Sequence, residues 1–359
     1  MFAVIMAGGR GSRFWPRSRK KTSKQILNIV GKHTMIQDSV LRLLPVVPEH
    51  RIFIITNSLL EDEIRSQLPM LPPENVIAEP VGRSTAACVG LAAIYLRHLE
   101  PGGVMATFAA DHLIRDVPMF QKDLIFAARL AREQNALVLF GIPPERPETG
   151  FGYIRTGEAL HIPGLNPDRA VRRVAGFVEK PDMETAKQFF ESTDYLVNSG
   201  MFVWPISTIM EEIHKHMPAM GQGLERIAAA IDTPLEFKAL GEEFPRFDNI
   251  SIDKGVMEHT DRAVALPARF GWSDLGSWSS LYDVWPKDEN NNVCIGRKLI
   301  LNTTDTLIYS PKKLVAAVGV KHLVIVETDD AILVCHKDQA QDVSELVDML
   351  RRERMEEFL

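Results

Sequence analysis

Three features of this sequence predict an α/β fold: a doubly wound, mostly parallel, Rossmann-like sheet with a small β-rich C-terminal domain. Short apolar runs alternate with helix-period segments up to about residue 142. The middle, roughly 143–285, is less regular and rich in Gly, Pro and aromatic residues. After the polar stretch 287–292, short β-type runs follow one another, separated by polar turns.

The runs at 2–7, 51–56, 75–79, 104–110 and 136–142 are candidate strands. Between them, 35–44, 84–99 and 120–134 carry helical spacing; in the last, Leu124, Ala127, Ala128, Leu130 and Ala131 recur on one face. Such alternation implies parallel strands whose ligands sit beyond their carboxyl ends. The middle region reads as the other half of a cleft built onto that sheet. Runs at 298–302, 306–309, 314–320, 323–327 and 331–336 then form the smaller domain, for which a short β-helix is one arrangement. An amphipathic helix with Val343, Leu346, Val347 and Leu350 on one face closes the chain. The expected division is 1–288 and 289–359.

Composition excludes several classes. With 359 residues, 45% of them hydrophobic and 25% charged, the chain is an ordinary globular sequence. Its net charge of −6 argues against a general nucleic-acid binder. No apolar run approaches the ~20 residues that span a bilayer, so no membrane partner is expected. Cys88, Cys294 and Cys335 form neither a zinc spacing nor a disulfide framework, which points to a reducing, cytoplasmic setting.

The strongest local signal follows the first strand: Gly8-Gly9-Arg10-Gly11-Ser12-Arg13-Phe14-Trp15-Pro16, then Lys24-Gln25. Eight of the first 37 residues are Lys or Arg, and the first acid is Asp38. A glycine turn at a strand end lets backbone N–H groups approach phosphate oxygens, and flanking cations supply countercharge. No Gly-Lys-Ser/Thr ends the segment, so it is not a Walker A loop. Phe14 stands where a dinucleotide fingerprint needs its third glycine. A tight turn before a solvated basic face is the plainer reading; eight cations without one acid favour phosphate.

Asp111-His112 ends the apolar run 104–110. A carboxylate there suits Mg²⁺, which is held by one or two carboxylates plus substrate phosphates; a helix or turn cap is the competing role. Asp274, in Gly271-Trp272-Ser273-Asp274-Leu275-Gly276-Ser277-Trp278, is either a second metal ligand or a cap for the helix that follows. Between them lie Thr149-Gly150-Phe151-Gly152-Tyr153, Phe177-Val178-Glu179-Lys180-Pro181 and Asn198-Ser199-Gly200. Their Glu and Asn fit sugar hydroxyls and Lys180 a sugar phosphate, although each taken singly is more often an ordinary turn.

Together these segments resemble the sugar nucleotidyltransferase family, and within it the mannose-1-phosphate guanylyltransferases. The resemblance covers nearly the whole chain, including Glu79-Pro80-Val81-Gly82-Arg83, Ser251-Ile252-Asp253, Val256-Met257-Glu258 and 314–320. It implies a nucleotidyltransferase catalytic domain over 1–288, with GTP and mannose 1-phosphate as substrates and Mg²⁺ as cofactor. It places Gly8, Gly9 and Gly11 on the nucleotide, Arg13 and Lys24 on its phosphates, and Gly82 near the guanine. Asp111 and Asp274 would hold the metal; Gly150, Glu179, Lys180 and Asn198 would face the sugar phosphate.

The chain departs from the family's Pro-Lys-Gln at Ser23-Lys24-Gln25 and from its Gly-Arg-Asn-Thr at Gly82-Arg83-Ser84-Thr85. Residues 289–359 leave no room for the isomerase domain of some relatives, so one activity is expected, with a homodimer formed through the C-terminal domain. The expected chemistry is direct in-line attack of the sugar phosphate on the α-phosphorus. A relative with another sugar or base, or a catalytically silent sugar-nucleotide-binding subunit, are the competing readings.

Overall fold

The computed structural model describes residues 1–9, 11–160, 162 and 170–359; Arg10 of the glycine-rich segment lies outside them. Strands β1 (Phe2–Met6), β2 (Ile52–Asn57), β3 (Val76–Glu79) and β4 (Val104–Ala109) alternate with α1 (Met35–Leu41), α2 (Glu61–Gln67) and α3 (Ser84–Leu99). Then come β5 (Leu113–Ile114), α4 (Val117–Gln134), β6 (Leu137–Ile142), β7 (Gly152–Ala159), β8 (Arg172–Glu179), α5 (Met183–Glu191) and β9 (Tyr195–Pro205). Helices α6 (Ile206–His216), α7 (Pro218–Ala228) and α8 (Glu236–Glu243) lead to β10 (Ala263–Pro267) and β11 (Trp272–Ser273). The chain continues through α9 (Trp278–Val284), β12 (Val293–Leu301), β13 (Leu307–Val318), β14 (Leu323–Glu327), β15 (Ile332–His336) and α10 (Val343–Arg352).

Two compact units result. One comprises Met1–Gly8, Ser39–Ala110 and Ile114–Trp272; the other Gly9–Asp38, Asp111–Leu113 and Ser273–Leu359. In the first, the strand order is β3-β2-β1-β4-β9-β6-β10-β8-β7, and β7 also pairs with β9, so the last five strands close into a barrel. Strands β3, β2, β1 and β4 are parallel. Beyond them β9 runs antiparallel to β4, β6 and β7, and β8 antiparallel to β7 and β10, while β10 and β6 are parallel.

The expected doubly wound, mostly parallel sheet is thereby corrected: β3, β2, β1 and β4 are parallel, but of the later pairings described only β6 with β10 is. The cause is visible in burial. Strands β1 and β2 are continuous buried runs, the mark of parallel strands covered on both faces, whereas β8 mixes half-buried with exposed positions, as antiparallel strands with a wet face do. Helix α3 is apolar on almost every face and sits in the core beside α7. A Cβ at Gly90 would stand 2.5 Å from Leu224 Cδ1, so the glycine sets how closely those helices approach.

In the second unit β12, β13 and β14 form successive parallel ladders, with β15 antiparallel at the end. Val293 pairs with Leu307 and Leu307 with Val324, so the chain returns to the same position after 14 and then 17 residues, as in coils of a β-helix. The buried Asn292 ties the coils together: its Nδ2 donates to Thr303 O at 2.8 Å and its Oδ1 accepts from Thr306 N at 3.1 Å. Phe14, Ile29 and Met35 share one core with Trp278, Trp285, Val293, Leu307 and Val324. Among the described residues, no helix is long and apolar enough to cross a membrane.

Candidate functional site

Gly9, Gly11, Lys24 and the two aspartates belong to the second unit. Gly11 has φ +61°, and an added Cβ would lie 2.7 Å from Lys24 Cβ, so both backbone conformation and space require glycine. Phe14 anchors the turn against Trp278, ring centroids 5.3 Å apart. Lys24 is only 3% exposed. Its Nζ donates to Asp111 Oδ2 at 2.9 Å and to the Asp274 carbonyl at 2.8 Å. The buried ammonium thus links the two segments expected to carry the metal. Burial pushes the Asp111 carboxyl up, but the charges of Lys24 and His112 and the Lys24 hydrogen bond outweigh it and hold it below the ordinary range.

The N-caps of the helices that follow are other residues. Asp116 caps α4, accepting from Met119 N at 2.9 Å, and Ser277 occupies the N-cap of α9. Asp274 Oδ1 accepts from Gly276 N at 3.1 Å, a local turn. Gln25, which the sequence marked only as a neighbour of Lys24, donates to Gly9 O at 2.9 Å and fixes that glycine.

The run of cations proves to be divided. Arg17 donates to Asn28 Oδ1 at 3.1 Å and lies over the Tyr309 ring; Arg19 forks onto Asp330 at 2.8 and 3.1 Å; Lys20 pairs with Glu356. These serve the fold. Arg13 is exposed and has no ion-pair partner among the described residues. Charge counting could not separate the two groups, because the acids that engage Arg19 and Lys20 lie more than 300 residues away in the chain.

In the first unit, Gly8, two residues beyond the end of β1, lies beside Glu79, whose Oε2 is 3.6 Å from where a Gly8 Cβ would stand. Glu79 is buried, its Oε1 has no partner among the described residues, and burial lifts its pKa to about 7 against a partly offsetting bond from the Cys88 thiol. Gly82 and Gly150 are exposed, and among the described residues nothing lies within 4 Å of an added Cβ at either. The fold itself therefore does not demand glycine at either. Arg83 donates to the Pro245 carbonyl.

A second cluster in this unit gathers Glu179, Lys180 and Asn198. Lys180 Nζ lies 3.4 Å from Glu179 Oε1. Asn198 Nδ2 donates to Asp253 Oδ1 at 2.7 Å, and its Oδ1 accepts from Gly200 N at 3.0 Å. Burial, and then the neighbouring Glu179 charge, lift the Asp253 pKa to about 6. For Asp253 the sequence offered no role beyond a cap or a lining of the sugar pocket; the Ser251-Ile252-Asp253 motif was its only signal. Gly152, rather than Gly150, makes room for the carboxylate: a Cβ there would stand 2.5 Å from Glu179 Oε2.

The sequence matches the family described as Nucleotidyl transferase over residues 2–291, and the MannoseP isomerase/GMP-like beta-helix domain over 296–350. A Salmonella muenchen protein named mannose-1-phosphate guanylyltransferase is 41% identical over 357 residues, covering 98% of this chain and 73% of that protein. A protein of the same name from Escherichia coli (strain K12) is 39% identical over 357 residues, with the same two coverages. A crystal structure described as mannose-1-phosphate geranyltransferase from Thermus thermophilus superimposes with a TM-score of 0.87 at 33% identity, covering 98% of this chain and 99% of that one. The chain belongs to the nucleotidyl transferase family, and within it stands with the mannose-1-phosphate guanylyltransferases.

Proposed function

We infer that this enzyme transfers a guanylyl group from GTP to mannose 1-phosphate, giving GDP-mannose and pyrophosphate. The relatives' shared name supports the substrates. The observation that carries the chemistry is the buried Lys24 ammonium, bonded to Asp111 Oδ2 and to the Asp274 carbonyl. A phosphate monoester oxygen is already a nucleophile near neutral pH, so the protein's task is positioning and charge neutralisation. Gly8, Gly9 and Gly11 bring backbone close to the triphosphate; Arg13 and Lys24 offset charge on the α-phosphate and the leaving group. Gly82 leaves room for the base. Gly150, Glu179, Lys180 and Asn198 receive the sugar phosphate, with Asp253 holding the Asn198 amide.

The donor set fits Mg²⁺. Asp111 and Asp274 offer hard carboxylate oxygens, the donors Mg²⁺ takes, and substrate phosphates would complete the coordination. When bound, the ion would neutralise triphosphate charge. The family matches, 2–291 and 296–350, support a catalytic domain at 1–288 and a β-rich domain at 289–359. A cytoplasmic setting is supported by three free cysteines.

The test is product formation. Purified chain with mannose 1-phosphate, Mg²⁺ and GTP, ATP, UTP or dTTP in turn should release pyrophosphate fastest with GTP and yield GDP-mannose. Equal or faster turnover with UTP or dTTP would overturn the guanylyl assignment.

A further inference from the structure

The basic segment after β1 is held by the far end of the chain. Trp15 Nε1 donates to Phe358 O at 2.8 Å, and Lys20 Nζ to Glu356 Oε2. The Arg19 guanidinium, already on Asp330, reaches Glu357 O at 3.5 Å and lies 5.8 Å from the Trp15 ring centroid. The tail is itself tied to α10, Met355 N donating to Leu350 O at 2.9 Å. On its other side Trp15 O accepts from Trp278 Nε1 at 3.0 Å. Every one of these groups belongs to the second unit.

We propose that residues 356–358 are a positioning element for the phosphate-binding loop: by gripping Trp15, Arg19 and Lys20 they hold the Gly11–Phe14 turn in the form that GTP meets. The inference rests on reading this loop as the triphosphate site. The grip is light. The Lys20–Glu356 pair is exposed on both sides, and such pairs contribute little. The bond from the half-buried Trp15 indole is the stronger part. Losing the tail should therefore leave the fold standing and let the loop sample other conformations. GTP must then select the competent fraction, and its apparent affinity falls by that fraction. Saturating GTP restores the competent loop, so the maximal rate and the use of the sugar phosphate should change little.

The experiment compares the full chain with a chain ending at Met355 and with Trp15→Phe. The expected result is a KM for GTP raised about two- to tenfold, with kcat and the KM for mannose 1-phosphate close to the parent values. Trypsin supplies a readout independent of activity, since Arg13, Arg17, Arg19, Lys20 and Lys21 are cleavage positions. Without nucleotide the shortened chain should be cut in this segment several-fold faster than the parent, and GTP should restore protection. Unchanged cleavage with an unchanged KM for GTP overturns the proposal. So does a broad loss of melting temperature with kcat and both KM values altered, which marks a merely structural tail. Absence of turnover by the full chain itself would instead defeat the functional reading, and the cleavage comparison would still decide the grip.

Discussion

At Ser84 the backbone takes φ +63°, a left-handed conformation that Asn tolerates better than Ser. The family's usual Asn at this position is therefore explained by conformation before any base contact is invoked. Ser84→Asn should raise stability by ~0.5 kcal/mol, an upward shift of about 1–2 °C in Tm, whereas the β-branched Ser84→Val should cost at least ~1 kcal/mol. Thermal melts of the two variants check the pair. Glu79 gives a pH prediction. Its folded pKa of about 7 lies above the ordinary 4.5, so between those values the folded chain keeps a proton that the unfolded chain has released. Stability contributed by that proton is present at low pH and is lost as pH rises through the window. Glu79→Gln should remove this slope, narrowing the stability difference between pH 5 and pH 8 by about 2–3 kcal/mol. Urea unfolding at the two pH values measures it; an unaltered slope would place the raised pKa elsewhere.

Among the loops, two glycines separate structural from ligand-driven need. Gly11 combines a positive φ with a close approach to Lys24, so Gly11→Ala should lower both Tm and activity. Gly82 has open space around it, so Gly82→Ala should leave Tm within about 1 °C of the parent while raising the KM for GTP. An unaltered KM would remove Gly82 from the base site. Glycine identity alone could not distinguish these cases; the difference lies in which side chains pack back from distant sequence. The same limit governed the strands. Runs at 51–56, 75–79, 104–110 and 136–142 were legible because each is nearly continuously apolar, and they fall on β2, β3, β4 and β6. Strands β7 and β8 were not, because β7 mixes buried with exposed positions and β8 half-buried with exposed ones, nor was β9, whose apolar run is interrupted by Asn198, Ser199 and Gly200; the partners of all three are set by closure of the barrel. In the C-terminal part, the runs 306–309 and 314–320 fuse into β13, since Pro311 and two lysines interrupt the apolar pattern without ending the strand. Of the site, Lys24, Asp111 and Asp274 were legible as motif residues. That Lys24 bonds to both segments, and that Asp253 holds Asn198, required the fold.

For the molecule as a whole, the C-terminal sheet leaves Leu299, Leu301, Leu314 and Val318 between 57% and 66% exposed on one face, with Leu301 opposite Val318. Such a face supports the expected homodimer. Light scattering should give twice the chain mass for the intact protein and the single mass for Leu301→Lys combined with Val318→Lys; a monomeric parent would refute the dimer. The central claim is that Lys24, Asp111 and Asp274 act together in the transfer. It is tested most directly by kcat for Asp111→Asn, Asp274→Asn and the double variant across a Mg²⁺ titration, with Tm alongside. Each single change should lower kcat by roughly 10²–10³. The double should cost far less than the product of the two, because groups serving one charge centre act as a unit. Near-normal kcat in either single variant, or effects that multiply and follow Tm, would contradict it.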